Sequence, residues 1–198
     1  MPIPAGVDPY ADLAVSLAEV KRHGNITNAA ADDELPIFIE TAQQMVGDVV
    51  GAIVPGTVTA EHHVVGPRTL RIWLRHAPVL AVSAVQELAV NTVTSTLTDT
   101  DWYLDPQTGA LSRLTGGAYG FWTVGDVLVT YQPGREPVPA AIRWAIMEQA
   151  VHLWRSTQAQ RGGRARGDVS DAAVAAGFGM PNRVRDVLAP FTQAPVIA

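Results

Sequence analysis

GDVLVTYQPGREPVPAAIRWAIMEQAVHLW, residues Gly125 to Trp154, contains the change of period on which the fold turns. Val127, Val129 and Tyr131 alternate as one face of a strand that stops at Pro133-Gly134. Pro137 and Pro139 then mark the entry to a helix. Placed at helical spacing, Ile142, Ala145, Ile146, Met147, Ala150, Val151, Leu153 and Trp154 cover well over half its circumference, with Trp144 at the edge. Glu148, Gln149, His152 and Arg155 form a compact polar strip. The surface helix of a lone globule needs an apolar stripe of about 100° or somewhat more. The excess predicts a burial partner outside the subunit, meeting Trp144, Met147, Val151 and Trp154, and hence a component of an assembly.

Upstream, residues 57–132 repeat with a period of two. TVTAEHHVV, TLRIWLR, AVSAVQELAV, DWYLD, GALSRL and GDVLVTYQ read as short strands rich in Thr, Val and aromatics. Gly66-Pro67, Ala77-Pro78, Asp105–Gly109 and Gly116-Gly117 punctuate them. DPQTG predicts a hairpin loop joining Tyr103–Asp105 to Ala110–Arg113. With many turns and no helical spacer, the pairing should be mainly antiparallel.

Helical patterns lie on both sides of these strands. Ser16 and Glu19 form a capping box for a short helix ending at His23-Gly24, where glycine suits a left-handed cap. A second helix opens at Asp32-Asp33 and is read as far as Pro55-Gly56, with Leu35, Phe38, Ile39, Ala42, Met45, Val46, Val49 and Ile53 in one arc. A last short helix opens at Pro181, with Val184, Val187 and Leu188 as its apolar edge, and closes at Pro190. The predicted organisation is an extended arm (1–15), a helical part (16–56), an inserted β module (57–134), the long helix (135–159), an Arg/Gly loop (160–177) and a C-terminal helix and tail (178–198). The expected fold class is α+β: a bundle of about four helices with a mainly antiparallel sheet module in mid-chain.

Composition narrows the chemistry. The 198 residues are 47% hydrophobic and include no cysteine, which removes disulfides, thiolate metal sites and cysteine nucleophiles together. Reducing-compartment synthesis, no signal peptide and no membrane span are expected. Net charge is −5 but graded. Residues 1–54 carry eight acids against two bases, 55–137 seven against five, and 138–198 four against seven. An acidic front and basic back suit head-to-tail packing of identical copies. Adjacent His62 and His63 point to opposite faces of a strand and cannot readily share an ion, and His76 adds no ligand spacing. GxSxG is absent, Asp99 and Asp101 lie in a polar turn, and LTGGAYGFW lacks phosphate-loop spacing. No cofactor, metal or catalytic residue is expected. Tyr119, Phe121 and Trp122 read equally as hairpin core or as a contact patch.

The ordered fragments DDELPIFIETAQQMV, LRHAPVLAVSAVQEL, DWYLDPQTGAL, GDVLVTYQPG feeding PAAIRWAIMEQAVHLW, and GMPNRVRDVLAPF resemble the head-to-tail connector proteins (adaptor, or head-completion) of long-tailed bacteriophages and phage-like gene transfer agents. The resemblance spans about residues 15–191. It implies a non-enzymatic virion protein, made in the host cytoplasm, that forms a twelvefold ring under the portal. That ring extends the DNA channel, touches DNA only non-specifically and presents a surface to the next neck, stopper or tail-terminator protein. The simplest members are nearly all helical, so the long β segment departs towards adaptors with an enlarged β module. Within this reading, Arg155, Arg161, Arg164 and Arg166 are either a solvated loop or a clasp on an acidic portal surface. Arg183 and Arg185, with Phe191 beyond them, resemble the family's C-terminal docking element and are expected to face a neighbour's Asp32, Asp33 or Glu34. The rival reading is a small enzyme or monomeric carbohydrate-binding module with Trp73, Trp102 and Trp122 lining a groove. A stopper is the alternative within the neck.

Overall fold

A computed structural model describes residues 12–89, 92–123, 125–161 and 179–192. Residues 162–177 of the expected Arg/Gly loop, with Arg164 and Arg166, and the N-terminal arm as far as residue 11 lie outside them. The chain forms two compact units: residues 1–50 with 138–198, and residues 51–137 between them in sequence.

In the first unit, helix α1 (Leu17–Gly24) begins with the expected capping box. The Ser16 hydroxyl accepts from the Glu19 amide at 3.3 Å, and the Ser16 amide donates to the Glu19 carboxylate at 2.8 Å. The left-handed cap falls on Asn25 (φ 50), one residue later than the glycine read for it. Asparagine tolerates that conformation, which leaves Gly24 free for another use. A 3-10 turn at Ala29–Ala31, capped by Asn28, leads to α2 (Leu35–Val50). This helix stops at Gly51 (φ 79), short of Pro55-Gly56, so Ile53 is buried off the helix. α3 (Ala140–Arg161) and α4 (Asn182–Leu188) follow, and a 3-10 turn at Ala189–Phe191 closes the described chain.

α3 packs against α1, α2 and α4. Ile142, Ala145, Ile146, Ala150, Val151 and Leu153 are buried there, with Val20, Leu35, Ile39, Ala42, Val46, Val184 and Leu188 also enclosed. Each large aliphatic buried in this way contributes about 1.5–3 kcal/mol before chain entropy is subtracted.

The second unit carries two antiparallel sheets. β1 (Val58–Val65), β2 (Arg71–Trp73), β3 (Val79–Ala89), β4 (Thr92–Leu97), β5 (Trp102–Asp105), β6 (Ala110–Thr115), β7 (Ala118–Tyr119) and β8 (Gly125–Pro133) appear in that chain order. One sheet is ordered β1-β8-β3-β4, the other β2-β6-β5 with β7 added to β6. Every pairing is antiparallel, and Asp105 meets Ala110 across the expected DPQTG hairpin. β4 and β7 escaped the sequence reading. β4 (TVTSTL) has only Leu97 buried, so it offers no alternation to read. β7 exists because Gly116 (φ 60) and Gly117 (φ 83) form a two-residue hairpin turn needing positive φ at both centres.

The core between the sheets holds Val65, Ile72, Leu74, Val79, Val85, Leu97, Leu111, Trp122, Val127, Val129 and Tyr131. The entry and exit of this inserted unit lie side by side. The Gly56 amide donates to Pro133 O at 3.1 Å, and the Arg135 amide to Ile53 O at 3.0 Å. An insertion whose ends are adjacent can be accommodated without separating the host elements it interrupts.

Candidate functional site

Much of the surplus apolar arc of α3 is covered inside the chain. Val151 is buried, and Trp144, Met147 and Trp154 are half-buried. α3 has helices on three sides, and a helix so surrounded buries more than the single stripe of a surface helix. Gly24 makes the closest approach possible: a Cβ there would lie 2.8 Å from Val151 Cγ2. Gln149, read as part of the polar strip, is fully buried, with its amide nitrogen 3.5 Å from Met45 Sδ.

Polar side chains of α3 serve the same enclosure. Glu148 accepts from His23 at 2.8 Å and pairs with Arg183, joining α1 and α4 to the centre of the unit. The His23 ring stands edge-on to Trp144, centroids 6.2 Å apart. Arg155 donates to Gly24 O at 2.7 Å. Arg143 pairs with Glu19, and Gln158 donates to Glu34 at 2.7 Å. Lys21 pairs with Asp32. Thus part of the acidic front meets partners in its own copy, and Arg183, expected opposite a neighbour's Asp32, Asp33 or Glu34, reaches its own Glu148. Arg185 is exposed and Phe191 half-buried. Arg161 is the last residue of α3.

Ionisation follows the same contacts. The Glu19 carboxyl is held below its ordinary value, first by the Ser16 amide and hydroxyl and then by Arg143. In the β unit, Glu61 is buried and accepts from the Tyr131 hydroxyl at 2.6 Å and the Arg75 amide at 3.1 Å. The His76 amide donates to the same Tyr131 oxygen at 3.2 Å. Burial raises the Tyr131 phenol well above its usual value. His63 Nε2 stands 2.8 Å from Glu61, and burial holds that imidazole below its ordinary value against the pull of the carboxylate. This network ties the chain after β2 to the β1–β8 pair. Each of these groups is paired with backbone or with a neighbouring side chain of the same unit. Among the described residues, no group of three His, Asp or Glu is placed to hold a metal ion.

The three aromatics of the glycine-flanked hairpin separate. Trp122 is 2% exposed and belongs to the core, while Tyr119 (64%) and Phe121 (57%) face solvent. Trp102 also packs against that core. The groove of three tryptophans is therefore not formed: Trp122 is buried, Trp102 is half-buried, and only Trp73 of the three is exposed. Among the described residues, the large apolar side chains that stand exposed are Ile37 on α2 and a set confined to the β unit, among them Val64, Val93, Tyr103, Tyr119 and Phe121. Among the described residues, the large exposed apolar side chains thus lie mostly on the sheets and none on the long helix. The signal for Val64 was available: it lies one residue before the end of an alternating strand, on the phase opposite to buried Val65.

No protein-family model matches the chain, and no curated protein matches it. Among solved structures it is similar to a chain in the neck of an empty gene transfer agent particle computed with C6 symmetry. That similarity has a TM-score of 0.60 at 17% identity, covering 96% of this chain and 95% of the other. A chain in the virion of a native gene transfer agent particle gives 0.57 at 15%, over 98% and 95%. One in the neck of a native particle computed with C12 symmetry gives 0.54 at 16%, over 100% and 97%. At such identities the likeness is one of fold.

Proposed function

We propose that this chain is a structural subunit of the neck of a phage-like particle. In this reading it forms the adaptor ring between the portal vertex and the tail and lengthens the channel through which DNA passes. The observation that carries the reading is the end-to-end likeness to neck chains of gene transfer agent particles, which leaves almost no part of either chain unmatched. The fold is consistent with it: a helical frame with a β unit inserted between adjacent ends. The helical frame, dominated by α2 and α3, favours the adaptor over a stopper, which is expected to be shorter and mostly β. The role is one of shape and burial without catalysis. Its partners are further copies of this chain, the portal, a downstream stopper or tail-terminator protein and, non-specifically, DNA phosphates. Its place is the virion neck. The carbohydrate-binding alternative loses part of its groove with Trp122 in the core and Trp102 half-buried against it.

The test is electron microscopy of the purified full chain with and without portal rings from the same particle. A ring of this chain on one end of the portal is expected. Portal rings that stay bare at saturating chain concentration refute the proposal.

A further inference from the structure

The four-stranded sheet has two free edges, and they match each other. Among the described residues, β1 pairs only with β8, and β4 only with β3. Three successive antiparallel pairings separate β1 from β4, so these edges run in opposite directions. Set beside an identical sheet in the same orientation, β4 of one copy meets β1 of the next antiparallel, and the alternation continues without interruption.

The side chains agree with that arrangement. Val64 faces Asp126, Asp126 faces Leu88, and Leu88 faces Val93, so these four form one row across the sheet. Directly opposed residues share a face. Here it is the face away from the core, because Asp126 alternates with buried Val127. The row therefore ends in an exposed valine at each edge, Val64 at 80% and Val93 at 47%. Edge-to-edge pairing would bring Val93 of one copy against Val64 of the next. β4 also lacks the usual protection of an edge strand: TVTSTL has no charge and no proline. The other sheet differs, with edge strands of three and four residues carrying Arg71 and Asp105. Bulges lie between Val58 and Glu61 in β1, and at the step from Val93 to Ser95 in β4. They confine a new pairing to a short length and add twist, which suits a curved assembly better than an open flat sheet.

We propose that copies of this chain join head to tail through these edges, β4 of each subunit hydrogen-bonding to β1 of the next with Val93 opposite Val64. The occupant of each edge is thus a second copy, and repetition of this heterologous contact closes a ring. The inference rests on the ring proposed above and adds the surface that makes it.

The chain has no cysteine, so an engineered pair reads out without background. Val64→Cys, Val93→Cys and the double variant are prepared as full chains and oxidised with and without portal rings. Cross-strand neighbours in this register fall within disulfide range. The double variant is expected to give a ladder of covalent dimers, trimers and higher forms, at a yield about ten-fold above either single variant. Dimers from Val93→Cys alone at the same yield would indicate β4 pairing with itself and overturn the proposal. Rings visible by microscopy with no cross-link in the double variant would overturn the edge pairing while the neck reading stands. Neither ring nor cross-link in the presence of portal would remove both.

Discussion

One added methyl group tests the enclosure of α3. Gly24 ends α1, and a Cβ at that position would lie 2.8 Å from Val151 Cγ2, 3.0 Å from Ile26 Cδ1 and 3.1 Å from Ile26 Cγ1. Carbon atoms settle at about 3.5–4.0 Å, so both neighbours must give way. The end of Ile26 can rotate. Val151 cannot do so easily, because a β-branched side chain within a helix has one strongly preferred rotamer. Overpacking of this kind costs about 1–3 kcal/mol, against about 1 kcal/mol regained from the better helix propensity of alanine. Gly24→Ala should therefore lower stability by about 1 kcal/mol. Val151→Ala alone should lower it by about 2 kcal/mol through lost burial and the space left behind. In the Val151→Ala background the closest clash is gone, and the same Gly24→Ala change should be neutral or stabilising by up to about 1 kcal/mol. The two substitutions thus couple by about 1–2 kcal/mol. Urea unfolding of the four proteins, followed by far-UV circular dichroism, measures the cycle. Additivity within about 0.5 kcal/mol would refute the claim that α1 is held against α3 at this glycine.

Trp122→Ala should destabilise the β unit by about 3–5 kcal/mol, whereas Phe121→Ala should change stability by no more than about 0.5 kcal/mol; equal effects in chemical denaturation would contradict the separation of these neighbours. Tyr131→Phe removes the buried hydroxyl that links Glu61 to the His76 amide, and a loss of about 1–3 kcal/mol is expected in the same assay. Glu19 gives the chain an acid dependence. Its folded pKa lies below the ordinary 4.5, so its contribution is complete above that value and is lost as pH falls through the folded pKa. Glu19→Gln lacks this term. The stability difference between wild type and variant should therefore shrink as the pH is lowered from neutral to below 4.5, and a constant difference would exclude Glu19 as the source.

Much of the fold was legible in local chemistry. Alternation marked β1, β3 and β8, DPQTG marked the β5–β6 hairpin, and Ser16 with Glu19 marked the start of α1. These signals rest on residues within a few positions of one another, where backbone geometry and capping act. The elements missed offered no period to read: β4 has almost nothing buried, and β7 is two residues long, although the two-glycine turn that folds it back on β6 is itself local.

The candidate surface was legible only in kind. Sequence alone determined that α3 is apolar over well more than half its circumference and that aromatics follow Gly116-Gly117, because composition and spacing are properties of the chain itself. The tertiary structure decided what that apolarity meets: helices on three sides leave α3 no large exposed apolar side chain, while Val64 and Val93 stand open at the two edges of one sheet. Periodicity reports which face of an element avoids water. How many neighbours come to cover that face is settled only when distant segments pack together.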